Sequence, residues 1–218
     1  MDYSITTMSK AGRKQVLYLG TDPENYRHIA GLVHCPLIQT VPLEIPQHLW
    51  DDFPDYSHIL FTSKNAVAIF LQALKEKSYT LESKQLVAIG KSTAAKLEQE
   101  GYTPHLIASQ ESQEGVIELL RLQDLRDAYI FYPRSSLARK KLEEYLMERG
   151  IRHQICDLYE TIFQKPEVLP DLNHFREIIF TSPSTVRSFL AAFGSIPQEK
   201  KLTCIGAITE AELKKVQG

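Results

Sequence analysis

The chain has 218 residues, of which 43% are hydrophobic and 24% are charged, and its formal net charge is −2 at pH 7. This length allows one or two domains with a sizeable core. The near-neutral charge argues against nucleic acid and acidic membrane surfaces as partners. We expect neither a signal peptide nor a membrane span, which needs a run of about 18 apolar residues.

Three cysteines, Cys35, Cys156 and Cys204, are spread through the chain without the close spacing of a zinc site. Sparse and odd-numbered cysteines are typical of a reducing compartment. We therefore predict a cytoplasmic protein with three unpaired, buried thiols and no bound metal.

Seven short apolar segments, each followed by a polar turn and an amphipathic stretch, predict seven consecutive strand–helix units. The strand segments are 15–20, 58–63, 85–90, 104–109, 128–133, 177–182 and 202–206. The first predicted helix lies within 22–34, and Gly101 and Gly150 are predicted to end two later helices. This series favours parallel sheets covered by helices, with strands buried on both faces.

The sequence also repeats itself. "HILFTSKNAV" at 58–67 returns as "EIIFTSPSTV" at 177–186, and "VAIGKSTAAKL" at 87–97 returns as "TCIGAITEAEL" at 203–213. The repeat is longer than the roughly 20–50 residues of a solenoid unit. It therefore predicts two domains related by pseudo-symmetry.

Two extended segments without a following helix, 35–46 and 152–166, are interpreted as strands that cross between these domains. The predicted fold is thus a pair of pseudo-symmetric, parallel-sheet (flavodoxin-like) α/β domains joined by a two-stranded β-ladder. The first domain is predicted to comprise 1–36 and 164–218, with a short C-terminal part, and the second 45–153. The linker strands are predicted at 37–44 and 154–163.

Hydroxyl-rich turns after the predicted strands form the candidate ligand site. The chain has no GxGxxG motif, and "GKST" at 90–93 lacks the earlier glycine of a phosphate-binding P-loop. Ligands of open α/β sheets bind at the carboxyl ends of strands, where helix N-termini offer backbone N–H groups to anions. The predicted substrate-binding residues are Thr62, Ser63, Lys64, Asn65, Gly90, Lys91, Ser92, Ser109, Ser112, Arg134, Ser182, Ser184 and Thr209. For each serine or threonine, the alternative is that it caps its own helix.

Five strings give the chain a resemblance to the uroporphyrinogen-III synthase family. They are "FTSKNAV", "AIGKSTAAKLEQEG", "FYPRSSLARKKLEEYLMERG", "LYET" and "IIFTSPSTV". Their order, with the crossing strands between them, covers nearly the whole chain. The resemblance implies a cytoplasmic, monomeric and cofactor-free lyase of haem and porphyrin biosynthesis. Its partner would be a small-molecule substrate, a tetrapyrrole polycarboxylate.

The reaction implied by the resemblance converts hydroxymethylbilane, a linear tetrapyrrole with eight carboxylates, into uroporphyrinogen III. The hydroxyl leaves to give an azafulvene, which attacks the last ring at its substituted position. The resulting spiro intermediate fragments and recloses with ring D inverted. Without an enzyme, the substrate closes to the type I isomer. Positioning and electrostatic preorganisation suit this task better than a strong acid or base.

The family's tyrosine near the end of the returning linker strand matches Tyr159 in "LYET". The resemblance implies that Tyr159 is a weak general acid for the departing hydroxyl. The alternative is a packing tyrosine whose hydroxyl is already hydrogen bonded. A family threonine matches Thr209, whereas Ile208 stands where a second threonine or serine is common. The alternative to a synthase is a non-catalytic protein of the same fold that binds or senses polyanions.

Overall fold

The computed structural model describes residues 15–217. The described chain divides into two compact units. The first unit comprises the residues through Gln39 together with those from Ile162 onward, and the second comprises Thr40–Thr161. The domain and linker bounds given above differ from these by a few residues and stay predictions.

The described residues form ten strands and seven α-helices. The strands are β1 (Gln15–Tyr18), β2 (Leu32–His34), β3 (Ile38–Pro42), β4 (His58–Phe61), β5 (Gln85–Ala88), β6 (Leu106–Ile107), β7 (Tyr129–Ser135), β8 (Arg152–Phe163), β9 (Phe175–Phe180) and β10 (Lys201–Cys204). The helices are α1 (Gln47–Asp51), α2 (Lys64–Glu76), α3 (Lys91–Gln99), α4 (Gln113–Arg121), α5 (Lys141–Glu148), α6 (Pro183–Phe193) and α7 (Ala207–Gln217). None of these helices is long and apolar enough to cross a membrane.

The first unit contains a four-stranded parallel sheet in the order β10-β9-β1-β2. Successive residues of its strands face opposite sides, as the two-residue strand period requires. Leu17 and Ile178 therefore belong to one apolar cluster, whereas Val16 and Ile179 belong to another. This burial on both faces confirms the reading of these strands as near-continuous apolar runs.

The sheet of the second unit has the order β3-β8-β7-β4-β5-β6, and β4 to β8 run parallel. β3 lies beside β8. The Leu43 N–H donates to the Leu158 carbonyl at 2.9 Å, and the Gln164 N–H donates to the Leu37 carbonyl at 2.9 Å. Because partner numbers fall along β8 as they rise along β3, this pair is antiparallel. The chain passes from one unit to the other inside these two strands.

All seven predicted strands are present, and six of the seven predicted helices follow them. The predicted helix at 22–34 is wrong: a short 3-10 turn at Glu24–Tyr26 is followed by β2. Gly31, at φ +78°, ends the local turn. Leu32 and Val33 then pair with Val16 and Leu17, so pairing with β1 overrides the local helical pattern.

Two glycines and three cysteines test further predictions from the sequence. Gly101 and Gly150 follow α3 and α5 with φ of +89° and +61°, which confirms both as helix-ending residues. All three cysteines are unpaired, but only Cys35 and Cys156 are buried. The prediction of a buried Cys204 is wrong, because β10 is an edge strand and leaves its thiol half-buried.

One face of the second sheet carries an aromatic core. Tyr56 packs against Phe131 with ring centroids 5.0 Å apart and against Tyr129 at 4.6 Å. Its hydroxyl is the one buried side-chain polar atom of residues 15–217 with no hydrogen-bond partner. A buried hydroxyl without a partner is destabilising.

Tyr56→Phe is therefore expected to raise the free energy of unfolding by about 1 kcal/mol, measured by chemical denaturation. Tyr129→Phe is the matched control, because its hydroxyl donates to Asp52 Oδ2 at 2.6 Å. That variant should lose about 1.5–3 kcal/mol, because the bond that it removes is to a carboxylate. Equal losses in both variants would show that the Tyr56 hydroxyl does make a stabilising bond.

Candidate functional site

The carboxyl ends of β4 and β7 lie side by side at the point where the strand order of the second sheet reverses. β4 and β7 are neighbours, but the chain continues from β4 to β5 on one side and from β7 to β8 on the other. Open α/β sheets bind ligands in the crevice that this arrangement creates. Thr62 and Ser63 follow β4 here, and Arg134 and Ser135 end β7.

Tyr159 lies at this point. Its hydroxyl is 2.8 Å from Ser63 Oγ, and its residue is only 5% exposed. Burial raises the pKa of the Tyr159 phenol, while hydrogen bonds from Ser63 and Ser135 act in the opposite direction. Since the net shift is upward, the phenol is protonated at neutral pH and can serve as a proton donor.

Ser63 has a second role in the same place. Its side-chain oxygen caps α2 by accepting the Ala66 N–H at 3.0 Å. Lys64 and Asn65 occupy the first turn of this helix, and the Asn65 amide donates to Thr40 Oγ1 at 3.3 Å. Helix capping and contact with Tyr159 thus occur at the same hydroxyl.

A second hydrogen-bond network surrounds Thr62, and the sequence predicts Thr62 as a site residue but neither Tyr132 nor Gln113. The buried Tyr132 hydroxyl is 3.4 Å from Thr62 Oγ1 and 3.4 Å from Gln113 Nε2. Gln113 is itself fixed, because its amide donates to the Arg139 carbonyl at 2.8 Å and accepts the Leu142 N–H at 3.1 Å. The only sequence signal was a tyrosine placed after a run of apolar strand residues.

Arg134 is buried beside two carboxylates of the same unit. Its Nε donates to Asp157 Oδ1 at 2.8 Å and its Nη1 donates to Glu143 Oε2 at 2.8 Å. The guanidinium is thus already engaged in ion pairs that fix it at the end of β7. Substrate binding by Arg134 stays a prediction.

The N-terminus of α3 holds a carboxylate from the protein itself. The Ser92 N–H donates to Glu111 Oε1 at 2.9 Å. Gly90 makes this approach possible, since a Cβ at that position would lie 2.0 Å from Glu111 Cγ. Lys91 and Ser92 are exposed beside it. This turn therefore accepts a carboxylate as α/β helix N-termini do.

The remaining predicted residues of the second unit follow β6. Ser109 is exposed, and Ser112 caps α4 by accepting the Gly115 N–H at 3.1 Å. The capping alternative thus describes the observed contacts of Ser112. Neither residue contacts Tyr159 through any hydrogen bond within the described part of the chain.

In the first unit, the predicted residues lie after β9 and β10. Ser182 forms a capping box with Thr185, and Ser184 is half-buried in the first turn of α6. Thr209 is buried, and its hydroxyl donates to the Ile205 carbonyl at 2.9 Å. Local hydrogen bonds therefore hold Ser182 and Thr209, and ligand binding by all three stays a prediction.

The carboxyl ends of β1 and β2 add polar groups that the sequence reasoning missed. The Tyr18 hydroxyl donates to the Asp22 carbonyl at 2.6 Å. Burial, and to a smaller extent the charges of Tyr26 and Asp22, raise the pKa of the Tyr18 phenol to about 12. His34 Nε2 is 2.7 Å from the Gly20 carbonyl. Since a carbonyl only accepts, this nitrogen carries the proton. The local sequence pattern predicts a helix at 22–34, so it gives no signal that His34 ends a strand.

One family model and two related proteins match this chain. The family model described as uroporphyrinogen-III synthase HemD matches residues 26–217. The porphyrin biosynthesis protein HemD of Ruminiclostridium josui is 28% identical over 215 residues, covering 90% of this chain and 42% of the relative. The chain therefore spans less than half the length of that relative. The uroporphyrinogen-III synthase of Chlorobaculum parvum is 24% identical over 180 residues, covering 76% of this chain and 72% of the relative.

Two solved structures share the fold. The uroporphyrinogen-III synthetase of Helicobacter pylori aligns with a TM-score of 0.67 at 21% identity, over 93% of this chain and 89% of that one. A mutant uroporphyrinogen III synthase of Thermus thermophilus aligns with a TM-score of 0.64 at 16% identity, over 94% and 90% of the two chains. These likenesses confirm the mixed α/β fold with parallel sheets.

The family model and the names of the relatives indicate the uroporphyrinogen-III synthase family, which is the family that the sequence resembles. The family match extends over nearly all of the described residues. The chain belongs to the uroporphyrinogen-III synthase family.

Proposed function

We propose that this protein catalyses the cyclisation of hydroxymethylbilane to uroporphyrinogen III, with inversion of ring D and release of water. The observation that carries this proposal is Tyr159, a protonated phenol held 2.8 Å from Ser63 at the carboxyl ends of the central strands. It lies within the 26–217 segment that matches the family. The predicted lyase activity is proposed on the same basis.

Tyr159 supplies the proton that the first step requires. The proton passes from the phenol to the hydroxyl oxygen of the substrate, the carbon–oxygen bond breaks, and water leaves. The electron pair of the adjacent pyrrole nitrogen stabilises the carbon left behind as an azafulvene. The proton released when the last ring regains aromaticity restores the phenol. Atoms therefore balance as substrate giving product and one water.

Binding of the substrate's carboxylates is assigned to backbone N–H groups and hydroxyls more than to cations. Carboxylates are stabilised at helix N-termini by free N–H groups and by the helix dipole. The proposed binding residues remain those after β4, β5, β6 and β7 in the second unit and after β9 and β10 in the first. Glu111 at the N-terminus of α3 supports this assignment, because it is itself a carboxylate in such a turn.

The strand orders support the predicted pseudo-symmetry. In the first unit, β1 lies between β2 and β9, and β10 is at the edge beyond β9. In the second unit, β7 lies between β8 and β4, and β5 is beyond β4. The duplicated strings fall on β4 and β9 and on β5 and β10, so equivalent strands have equivalent places. We propose two flavodoxin-like units of common descent, with β3 and β8 as the linker ladder.

We still expect the protein to act as a monomer, without a cofactor, in the cytoplasm. Among residues 15–217, no three His, Cys, Asp or Glu side chains converge in a way that could hold a metal ion. The proposed partner is the small-molecule tetrapyrrole substrate.

The direct test is an isomer assay with hydroxymethylbilane generated in the same reaction. The proposal expects type III product well above a blank without protein. If only the type I isomer forms at the blank rate while the tetrapyrrole still binds, the chain is the non-catalytic polyanion-binding alternative.

Glu111→Ala tests whether the α3 turn binds substrate. A substrate carboxylate that binds at this turn must displace Glu111 from the Ser92 N–H. A carboxylate at a helix N-terminus is stabilised by a few tenths to about 1 kcal/mol. Because the substrate no longer competes with Glu111 for this interaction, Glu111→Ala should lower KM by about 2–5-fold at unchanged kcat. Glu98→Ala removes the same charge from the same helix at an exposed position and should leave KM unchanged. A KM that stays at the wild-type value in Glu111→Ala would take this turn out of the substrate site.

A further inference from the structure

The ladder between β7 and β8 contains an irregularity beside Tyr159. Up to Arg134, which is opposite Asp157, the register advances one residue on each strand. The next partners are Ser135 and Tyr159, so Leu158 is the extra residue of a β-bulge. Bulges re-aim side chains and are frequent next to active sites.

The bulge changes which side of the sheet Tyr159 faces. Neighbouring residues of a regular strand point to opposite faces. Leu158 and Tyr159 nevertheless belong to the same apolar cluster. In a regular strand Ser135 would be opposite Leu158, and the Tyr159 phenol would point away from Ser63.

Two serines thus flank the Tyr159 side chain, one from each neighbouring strand end. Ser63 Oγ is 2.8 Å from the phenol oxygen, and Ser135 is the direct cross-strand partner. The main chain ties the same segments together, since the Ser136 N–H donates to the Tyr159 carbonyl at 2.9 Å.

Both hydroxyl oxygens accept a backbone N–H from a residue that follows them in the chain. Ser63 Oγ accepts the Ala66 N–H at 3.0 Å, and Ser135 Oγ accepts the Leu137 N–H at 3.2 Å. A hydroxyl has one proton and two lone pairs. With a backbone N–H on one lone pair, each serine retains its proton for donation. A phenolate oxygen can only accept, so both serines can donate to it.

We propose that Ser135 and Ser63 form a two-hydroxyl cradle that stabilises the phenolate left when Tyr159 gives its proton to the departing hydroxyl. This inference rests on the proposed function and deepens it. Ser135 acts through Tyr159 and is therefore a positioning residue. Hydrogen bonds aimed at developing charge in a buried site are among the largest catalytic effects. The cradle explains how a buried phenol, whose pKa burial raises, can release a proton.

The test compares Ser135→Val with Ser135→Thr. The two side chains have the same shape, but only threonine keeps the hydroxyl. The valine variant should lose at least about 10-fold in kcat for type III product, whereas the threonine variant should stay within about 3-fold of wild type. The alkaline limb of the kcat–pH profile should move to higher pH in the valine variant, because the phenolate has lost a donor. In a Tyr159→Phe background, Ser135→Val should cause no further loss.

A measurement without turnover separates this inference from the proposed function. Difluorotyrosine incorporated at position 159 can be titrated by its absorption, and its pKa should be higher with valine than with threonine at position 135. Ser136→Ala, an exposed neighbour that keeps its backbone N–H, should behave as wild type. Equal titration curves for valine and threonine, or an equal kcat loss with and without the Tyr159 hydroxyl, would overturn the cradle. A wild-type protein that makes no type III isomer would instead overturn the proposed function.

Discussion

Tyr159→Phe is expected to slow formation of the type III isomer by about 10²–10³, the cost of removing one hydrogen bond aimed at developing charge. The phenol that this variant removes is the one held 2.8 Å from Ser63 Oγ at the end of the central strands. Positioning by backbone N–H groups is untouched, so residual activity should persist. The measurement is the initial rate of type III formation, with type I product as the internal reference.

Stability separates the chemical role of Tyr159 from its packing role. Phenylalanine fills the same cavity and loses only the hydrogen bonding of the phenol to its serine neighbours, a cost of about 0.5–1.5 kcal/mol. For a chain of this length that is a fall of a few degrees in Tm, at roughly 2–4 °C per kcal/mol. Tyr129→Phe is the matched control, because its hydroxyl bonds to Asp52 near the opposite end of the same strand pair. It should lose at least as much stability as Tyr159→Phe and keep wild-type turnover.

The pH dependence of the wild-type enzyme follows from the same phenol. Burial raises the folded-state pKa of Tyr159, so the acid form persists to higher pH than in a free tyrosine. Activity should therefore be flat through neutral pH and fall only as the pH rises through the raised pKa.

Two results with Tyr159→Phe would contradict the chemical role. Wild-type turnover in this variant would remove Tyr159 from the mechanism, and a large fall in the Tm of the variant would assign the residue to packing.

Gly115→Ala is expected to destabilise the second unit by at least about 2 kcal/mol. Alanine normally stabilises a helix by about 1 kcal/mol relative to glycine. At this position, in the first turn of α4, a Cβ would lie 2.3 Å from the Gln110 carbonyl oxygen. The obstacle is backbone and cannot rotate away. The loop before Ser112 must therefore shift, and the Ser112 cap is lost with it.

Thermal unfolding followed by circular dichroism measures this loss, which corresponds to roughly 4–8 °C in Tm. Glu118→Ala, at an exposed position of the same helix, tests helix propensity without the clash and should leave Tm nearly unchanged. A Gly115→Ala protein as stable as wild type would mean that the loop at Gln110 yields at little cost.

The order of strands and helices is determined by local sequence. Apolar runs of strand length, polar turns and amphipathic stretches recur along the chain, and the glycines after α3 and α5 end their helices as expected. These features depend on residues close in sequence, so they can be read from it. The repeated strings and the family resemblance can likewise be read from the sequence, because each consists of residues close together in the chain.

Only the tertiary structure decided how the site is assembled. The bulge that brings Ser135 opposite Tyr159 is a property of two strands in register. Glu111 reaches the N-terminus of α3 from 19 residues away, and Gln113 reaches Tyr132 across the same separation. Leu32 and Val33 form a strand because β1 offers them a ladder, although their own pattern suited a helix. Such contacts join residues distant in sequence, and no local pattern encodes which partner each side chain meets.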